Sequence, residues 1–253
     1  VPGFVPLMVG ALVVALAGLS SCGEHPRVTD GQGAPLDLGP WAGVYQVAPG
    51  ATWKTLEVGP QGYRYRMGGC MGVYEDRTGR LAVAGARWSL TDDDAGAFAS
   101  SAGVFGRELL AVSWGPRRYL VPVDELPEFC NAVNGGLEAR AGAASFLSQQ
   151  GGEAQAVAGQ PKLPADAAER LLSEALEAAV VALHADDDGD RVELNVGADR
   201  GVWVGQRFHR ADGRGSLRVE SVADATCRAR PEDWSEAGQV GLAVSSRHPS
   251  ATP

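Results

Sequence analysis

The sequence predicts a mainly β protein with one or two helices, an α+β chain built around two small antiparallel β domains. Three observations carry this. Apolar and polar residues alternate in short runs between residues 41 and 123. Gly and Pro number 34 and 15, too many for a helical bundle, and many of them fall between those runs. A second alternating block spans residues 192–244, beyond one stretch with helical spacing.

Taken in order, runs at 41–47, 53–58, 63–67, 80–83, 87–90, 108–114 and 118–123 read as strands. Pro49-Gly50, Gly59-Pro60-Gln61-Gly62, Thr78-Gly79 and Gly115-Pro116 mark turns between them. Short strands at this spacing predict a barrel or sandwich over residues 41–136. A short helix over 124–133 caps it and stops at Asn134-Gly135-Gly136. Residues 137–163 are small and Gln-rich and read as a linker with one strand at 144–147. Pro164 opens a predicted amphipathic helix over 164–185. Leu171, Leu172, Ala175, Leu176, Ala179, Val180 and Leu183 form its apolar stripe, with Glu169, Arg170, Glu174 and Glu177 off it. Residues 186–245 predict a second, small SH3-like barrel, with Val192, Leu194 and Val196 alternating, then runs at 201–205, around Phe208, at 217–222 and at 240–244. Residues 246–253 read as a frayed tail.

The charge balance is acidic, with 22 Lys+Arg against 31 Asp+Glu and a formal charge of −9. No basic block exists, which excludes a polybasic nucleic-acid binder. A hydrophobic share of 45% excludes an intrinsically disordered chain. Residues 1–23 carry no Asp, Glu, Lys or Arg, and residues 7–19 are apolar throughout. That core is shorter than the ~20 residues of a spanning helix and suits a secretory signal. Leu19-Ser20-Ser21-Cys22 follows directly: an aliphatic residue, two small residues and Cys. This resembles the bacterial lipobox. The resemblance implies a signal over residues 1–21, cleavage before Cys22, and a lipidated Cys22. Gly23, standing where that family's inner-membrane signal places Asp, implies the periplasmic side of the outer membrane rather than the inner. No Lys or Arg precedes the apolar core and the chain opens on Val1, which fits a truncated start or a Val start codon. Residues 22–40, polar and rich in Gly and Pro, read as the lipidated Cys and a flexible tether. The whole −9 lies outside the uncharged run, so attachment would come from Cys22 and not from anionic headgroups.

Two further resemblances cover most of the remaining chain. Residues 192–208 combine an alternating strand, Gly197, a short acidic turn, Gly201-Val202, Val204-Gly205 and Phe208. They resemble a small β-barrel module of flagellar outer-membrane and rod-shape-determining envelope proteins, and the resemblance implies no catalytic residues. Gly197 and Gly205 would supply turns with positive φ, and Gly201 would let the chain double back. Gly69-Cys70-Met71-Gly72-Val73-Tyr74-Glu75, Trp114-Gly115-Pro116-Arg117-Arg118-Tyr119-Leu120-Val121-Pro122, Phe129-Cys130-Asn131-Ala132-Val133-Asn134 and Gly159-Gln160-Pro161-Lys162-Leu163-Pro164 resemble, in that order, a family of uncharacterised bacterial secreted proteins. That resemblance implies relatives and no activity.

Candidate chemistry is sparse. With Cys22 lipidated, Cys70, Cys130 and Cys227 remain. In an oxidising periplasm Cys70 and Cys130 are the expected disulfide, closing a loop of about 60 residues and contributing roughly 4 kcal/mol in the chain-entropy model. Spacing alone leaves the connectivity open. Cys227 then reads as a small buried hydrophobe. Cys70, among Gly68, Gly69 and Gly72, is alternatively a nucleophile, which requires a base such as His25, His184, His209 or His248. Asp186-Asp187-Asp188-Gly189-Asp190 fails the EF-hand pattern, because Gly at position 6 puts His184 at position 1 and Asn195 at position 12. It reads as a solvated turn, and Asp92-Asp93-Asp94 as a loop, so no metal is expected. Trp114, Arg117, Arg118 and Tyr119 are a candidate binding face. The same alternation fits a hairpin with Trp and Tyr packed inward and Arg outward. No Walker loop, HExxH or GxSxG occurs, and no GxGxxG follows a strand, so no cofactor is expected.

Together these features predict a lipid-anchored cell-envelope protein that binds or scaffolds an envelope protein partner, with no catalysis and no nucleic acid. A lipocalin-like barrel holding a small-molecule ligand is the alternative. A periplasmic thiol-dependent enzyme using Cys70 is the second.

Overall fold

The computed structural model describes residues 36–47, 52–93, 108–137, 145–148, 157, 159–186, 189–232 and 239–249. Cys22, the expected signal over 1–21 and most of the expected tether lie outside them. The first eight strands are β1 (Gly43–Gln46), β2 (Thr52–Gly59), β3 (Gly62–Gly69), β4 (Gly72–Ala84), β5 (Arg87–Asp92), β6 (Glu108–Trp114), β7 (Arg117–Pro122) and β8 (Phe146–Ser148). Each pairs antiparallel with the next, and β8 closes on β1 to make a barrel. Alternation does the sorting: Tyr45, Leu56, Tyr65, Leu81, Trp88, Leu109, Leu120 and Phe146 meet inside as one cluster. Burying each such side chain stabilises by about 1.5–3 kcal/mol. Leu38 joins that cluster, so residues 36–40 belong to the barrel and not to the tether.

Two departures in this barrel have local causes. Thr78-Gly79 is not a turn; it pairs with Arg64 and Tyr63 in the middle of a 13-residue β4. The first half of β4 reads polar because its charges find partners: Asp76 binds Arg64 and Arg77 binds Asp92 on neighbouring strands, and Arg77 also binds Glu75 on β4 itself. The linker also contributes more than a connection. Its β8 closes the barrel, and Lys162 donates its backbone N–H to Ser113 O at 2.8 Å.

The second barrel contains β9 (Glu177–Asp186), β10 (Gly189–Leu194), β11 (Arg207–Arg210), β12 (Ser216–Val222), β13 (Cys227–Glu232) and β14 (Ala243–Ser245). The order around it is β10-β13-β12-β11-β14-β9, closed on itself. Its interior holds Leu176, Val180, Val192, Leu194, Phe208, Leu217, Val219, Cys227 and Val244.

The predicted helix over 164–185 is corrected. Only Ala165–Ala168 is helical (α2), and the rest of the stripe becomes β9. Leu176, Ala178 and Val180 are buried while Glu177 and Val181 are exposed, a period of two that the Ala-rich sequence shares with a helical reading. Pairing with β10 and β14 decides between them. The second barrel therefore begins at Glu177. Asp186 pairs with Gly189 across the β9–β10 hairpin, so the acidic turn joins two strands. The first residue of the predicted tail is also tied down: Ser246 is buried, donates its N–H to Leu176 O at 2.9 Å and accepts from Leu176 N–H at 2.8 Å. Gly197 is not a positive-φ position. Its φ is −146°, and it is needed because a Cβ there would lie 2.3 Å from Ala223 O; Gly201 and Gly205 are the positive ones, at 80° and 96°.

One helix joins the barrels. α1 (Leu126–Asn134) follows a short 3-10 turn after β7 and lays Leu126, Phe129, Cys130 and Ala132 on the outer faces of β6 and β7. Phe129 meets Tyr119 edge-on at 5.5 Å. The other side of α1 meets the second barrel. Asn131 donates to Gly205 O and accepts from Arg207 N–H, both at 2.9 Å. Asn134 does the same for Arg170 O and Leu172 N–H. Glu128 bridges Arg207 and Arg218, which also face Glu232.

Candidate functional site

The strongest surface feature is the tip of the β3–β4 hairpin. Tyr63, Tyr65 and Met67 alternate toward the barrel interior, which turns Arg64, Arg66 and Gly68 outward. The ladder shifts register between Met67 and Gly68: Met67 faces Glu75 and Gly68 faces Val73, leaving Tyr74 unpaired as a bulge. Val73, opposite the outward Gly68, and Tyr74, in step with the outward Asp76, thus share the outer face. Trp53 pairs with Gly68 from the other side, and its indole covers that glycine so closely that a Cβ on Gly68 would lie 2.4 Å from the ring. The Arg66 guanidinium sits 5.6 Å from the Trp53 ring centroid, a cation–π contact.

Met71 is 86% exposed, Tyr74 51%, Val73 50% and Trp53 36%. Cys70 lies exposed among them with a free thiol. Soluble surfaces rarely gather apolar side chains of this size without a binding role. Met and aromatic residues suit one, since they give large contact area with adaptable packing.

The expected Cys70–Cys130 disulfide is corrected: both thiols are free. Cys130 is fully buried on α1 against the β6–β7 face, whereas Cys70 faces solvent at a hairpin tip. Burial pushes the Cys130 and Cys227 thiols up to about 12. Relative to the ordinary value of 9.0, that lowers their thiolate fraction on the order of a thousand-fold at neutral pH. In the native fold, reduced and then freed of reductant, iodoacetamide is therefore expected to modify Cys70 within minutes, with Cys130 and Cys227 modified only after denaturation. Peptide mass mapping reads the order, and native labelling of Cys130 at the Cys70 rate would contradict it.

Trp114, Arg117, Arg118 and Tyr119 do share the β6–β7 hairpin, but not one face. Trp114 and Tyr119 are buried under α1 with Val157, Leu163 and Leu171, and the Trp114 indole N–H lies on Gly159 O at 2.8 Å. Arg117 alternates with Tyr119 on that side. Arg118 alternates with the interior Leu120, and its charge acts on the Tyr45 hydroxyl, whose pKa burial raises. The candidate binding face is thus corrected to a packed hairpin. The described histidines all lie on the second barrel or just after β14: His184 faces Glu193 at 3.3 Å, and His209 meets His248 edge-on at 4.9 Å.

Trp53, Met71, Val73 and Tyr74 escaped the sequence reading as a site, although Cys70 did not. The signal was present. Turns are ordinarily polar, and Cys70-Met71-Gly72-Val73-Tyr74 is an apolar turn.

The fold and this tip define a class: two closed antiparallel barrels bound through one helix, with an apolar, thiol-bearing hairpin end. Compared with protein-family models, curated proteins and solved structures, the chain finds no match.

Proposed function

We propose that the protein is a lipid-anchored cell-envelope protein that binds or scaffolds a protein partner, without catalysis, on the periplasmic side of the outer membrane. The observation that carries the binding role is the exposed tip of Trp53, Met71, Val73 and Tyr74. The first barrel's interior favours surface binding over a lipocalin-like cavity, because Tyr45, Leu56, Tyr65, Leu81 and Leu120 occupy it side by side. Anchoring rests on the lipobox-like Leu19-Ser20-Ser21-Cys22 alone. It places the tether and the tip apart: Gly43 of β1 is level with Val58 and Tyr63, and Gly69 lies six residues further along β3, about 20 Å away. A partner could then reach the tip without competing with the bilayer.

The anchor is tested by growing cells with an alkynyl palmitate. The wild-type chain is expected to incorporate the label and Cys22→Ala to lose at least 90% of it. Equal labelling of the two chains would remove the lipid anchor from this reading.

A further inference from the structure

The geometry points to the occupant of the tip: a second copy of this chain, docked two-fold symmetrically through Trp53, Met71, Val73 and Tyr74 and locked by a Cys70–Cys70 disulfide. This rests on reading the tip as a binding surface, and not on the lipid anchor.

Area comes first. At about 200 Å² for a full large apolar side chain, the four residues leave on the order of 450 Å² open. A two-fold pairing would bury about 900 Å², under the ~1,000 Å² that a stable specific interface clears, so the non-covalent contact is weak and the Cys70–Cys70 disulfide is what makes the pair durable. Charge is compatible. Arg64 and Arg66 are already paired with Asp76 within the chain, so the rim brings little unpaired charge to a two-fold contact. The molecule's −9 is not concentrated there. Symmetry then gives the thiol its role. In an isologous contact a residue near the axis meets its own copy. Cys70 sits in the turn at the end of the hairpin, between the two apolar flanks, and it is exposed and unbridged.

The chemistry balances by thiol–disulfide exchange with a disulfide oxidant, such as an oxidised dithiol carrier or oxidised glutathione. One Cys70 thiolate attacks the oxidant's disulfide and forms a mixed disulfide, and the displaced sulfur leaves with the electron pair and takes a proton. The second copy's Cys70 thiolate attacks the Cys70 sulfur of that mixed disulfide and releases the second thiol. Two protein thiols become one disulfide as one oxidant disulfide becomes two thiols.

The test uses the full-length chain carrying Cys22→Ser, in detergent, with oxidised glutathione supplied and products read on non-reducing gels. Cys22→Ser keeps the outcome independent of lipidation. The control moves the thiol: Cys70→Ser with Ser173→Cys places it at an exposed position away from the tip. The Cys70 chain is expected to form covalent dimer at least tenfold faster than this control, and Met71→Asp with Tyr74→Asp to slow it to the control rate. Circular dichroism of each variant confirms that it is folded. Equal rates for Cys70 and Ser173→Cys, dimer formation indifferent to Met71→Asp with Tyr74→Asp, or a product ending at the glutathione mixed disulfide would each overturn the proposal.

Discussion

Asn131→Ala is expected to lower the unfolding free energy by roughly 2–4 kcal/mol. Asn131 is buried on α1, and its amide satisfies two backbone groups of the second barrel at once, Gly205 O and Arg207 N–H, each at 2.9 Å. Truncation strands both, and an orphaned buried backbone group costs about 1–3 kcal/mol. The variant should also lose cooperativity between the barrels, because the same side chain is a principal polar link across the junction. Urea unfolding followed by tryptophan fluorescence reads both. One transition at the wild-type midpoint and slope would show that Asn131 does not couple the barrels.

Gly197→Ala is expected to destabilise by about 2–4 kcal/mol, through a different mechanism. The added Cβ would lie 2.3 Å from Ala223 O and 2.4 Å from Asp224 O, and backbone oxygens cannot rotate away. The two connecting segments must part, and with them go the bonds Ala198 N–H to Ala223 O at 2.9 Å and Asp199 N–H to Asp224 O at 3.0 Å. For a chain of this size the loss corresponds to a Tm drop of roughly 5–12 °C. Gly201→Ala is the comparison. There φ is 80° and only the left-handed backbone is strained, so a loss of about 1–2 kcal/mol is expected. Calorimetry that ranks Gly201→Ala above Gly197→Ala would invert the two assignments.

The first barrel was legible wherever a strand has one wet face. β2, β3 and β5 alternate cleanly, and their sequence boundaries fall within two residues of the observed ones. α1 was legible because Asn134-Gly135-Gly136 ends it. Where charge pairs across strands, hydrophobic alternation disappears, which hid the first half of β4 with its Asp76 and Arg77. Where small residues crowd, both periods fit, so β9 with Ala178, Ala179, Ala182 and Ala185 read as a helix. The site followed the same logic. Cys70 stands out as a residue type, but the apolar platform is assembled from two hairpins and a bulge. Trp53 and Val73 are brought together only through their common partner Gly68.

The position of α1 in the chain sets an order of assembly. β8, which closes the first barrel, comes after α1, and the surfaces that α1 grips on the second barrel, Gly205, Arg207 and Arg218, come more than 50 residues after β8. As the chain emerges N-terminus first, the first barrel can close with α1 on its outer face while Glu128, Asn131 and Asn134 still await their partners. The second barrel then matures against a template already in place. Severing the chain between β8 and β9 would release two incomplete pieces, each presenting half of a polar seam to solvent, so the two barrels are one inheritable unit despite their separate cores.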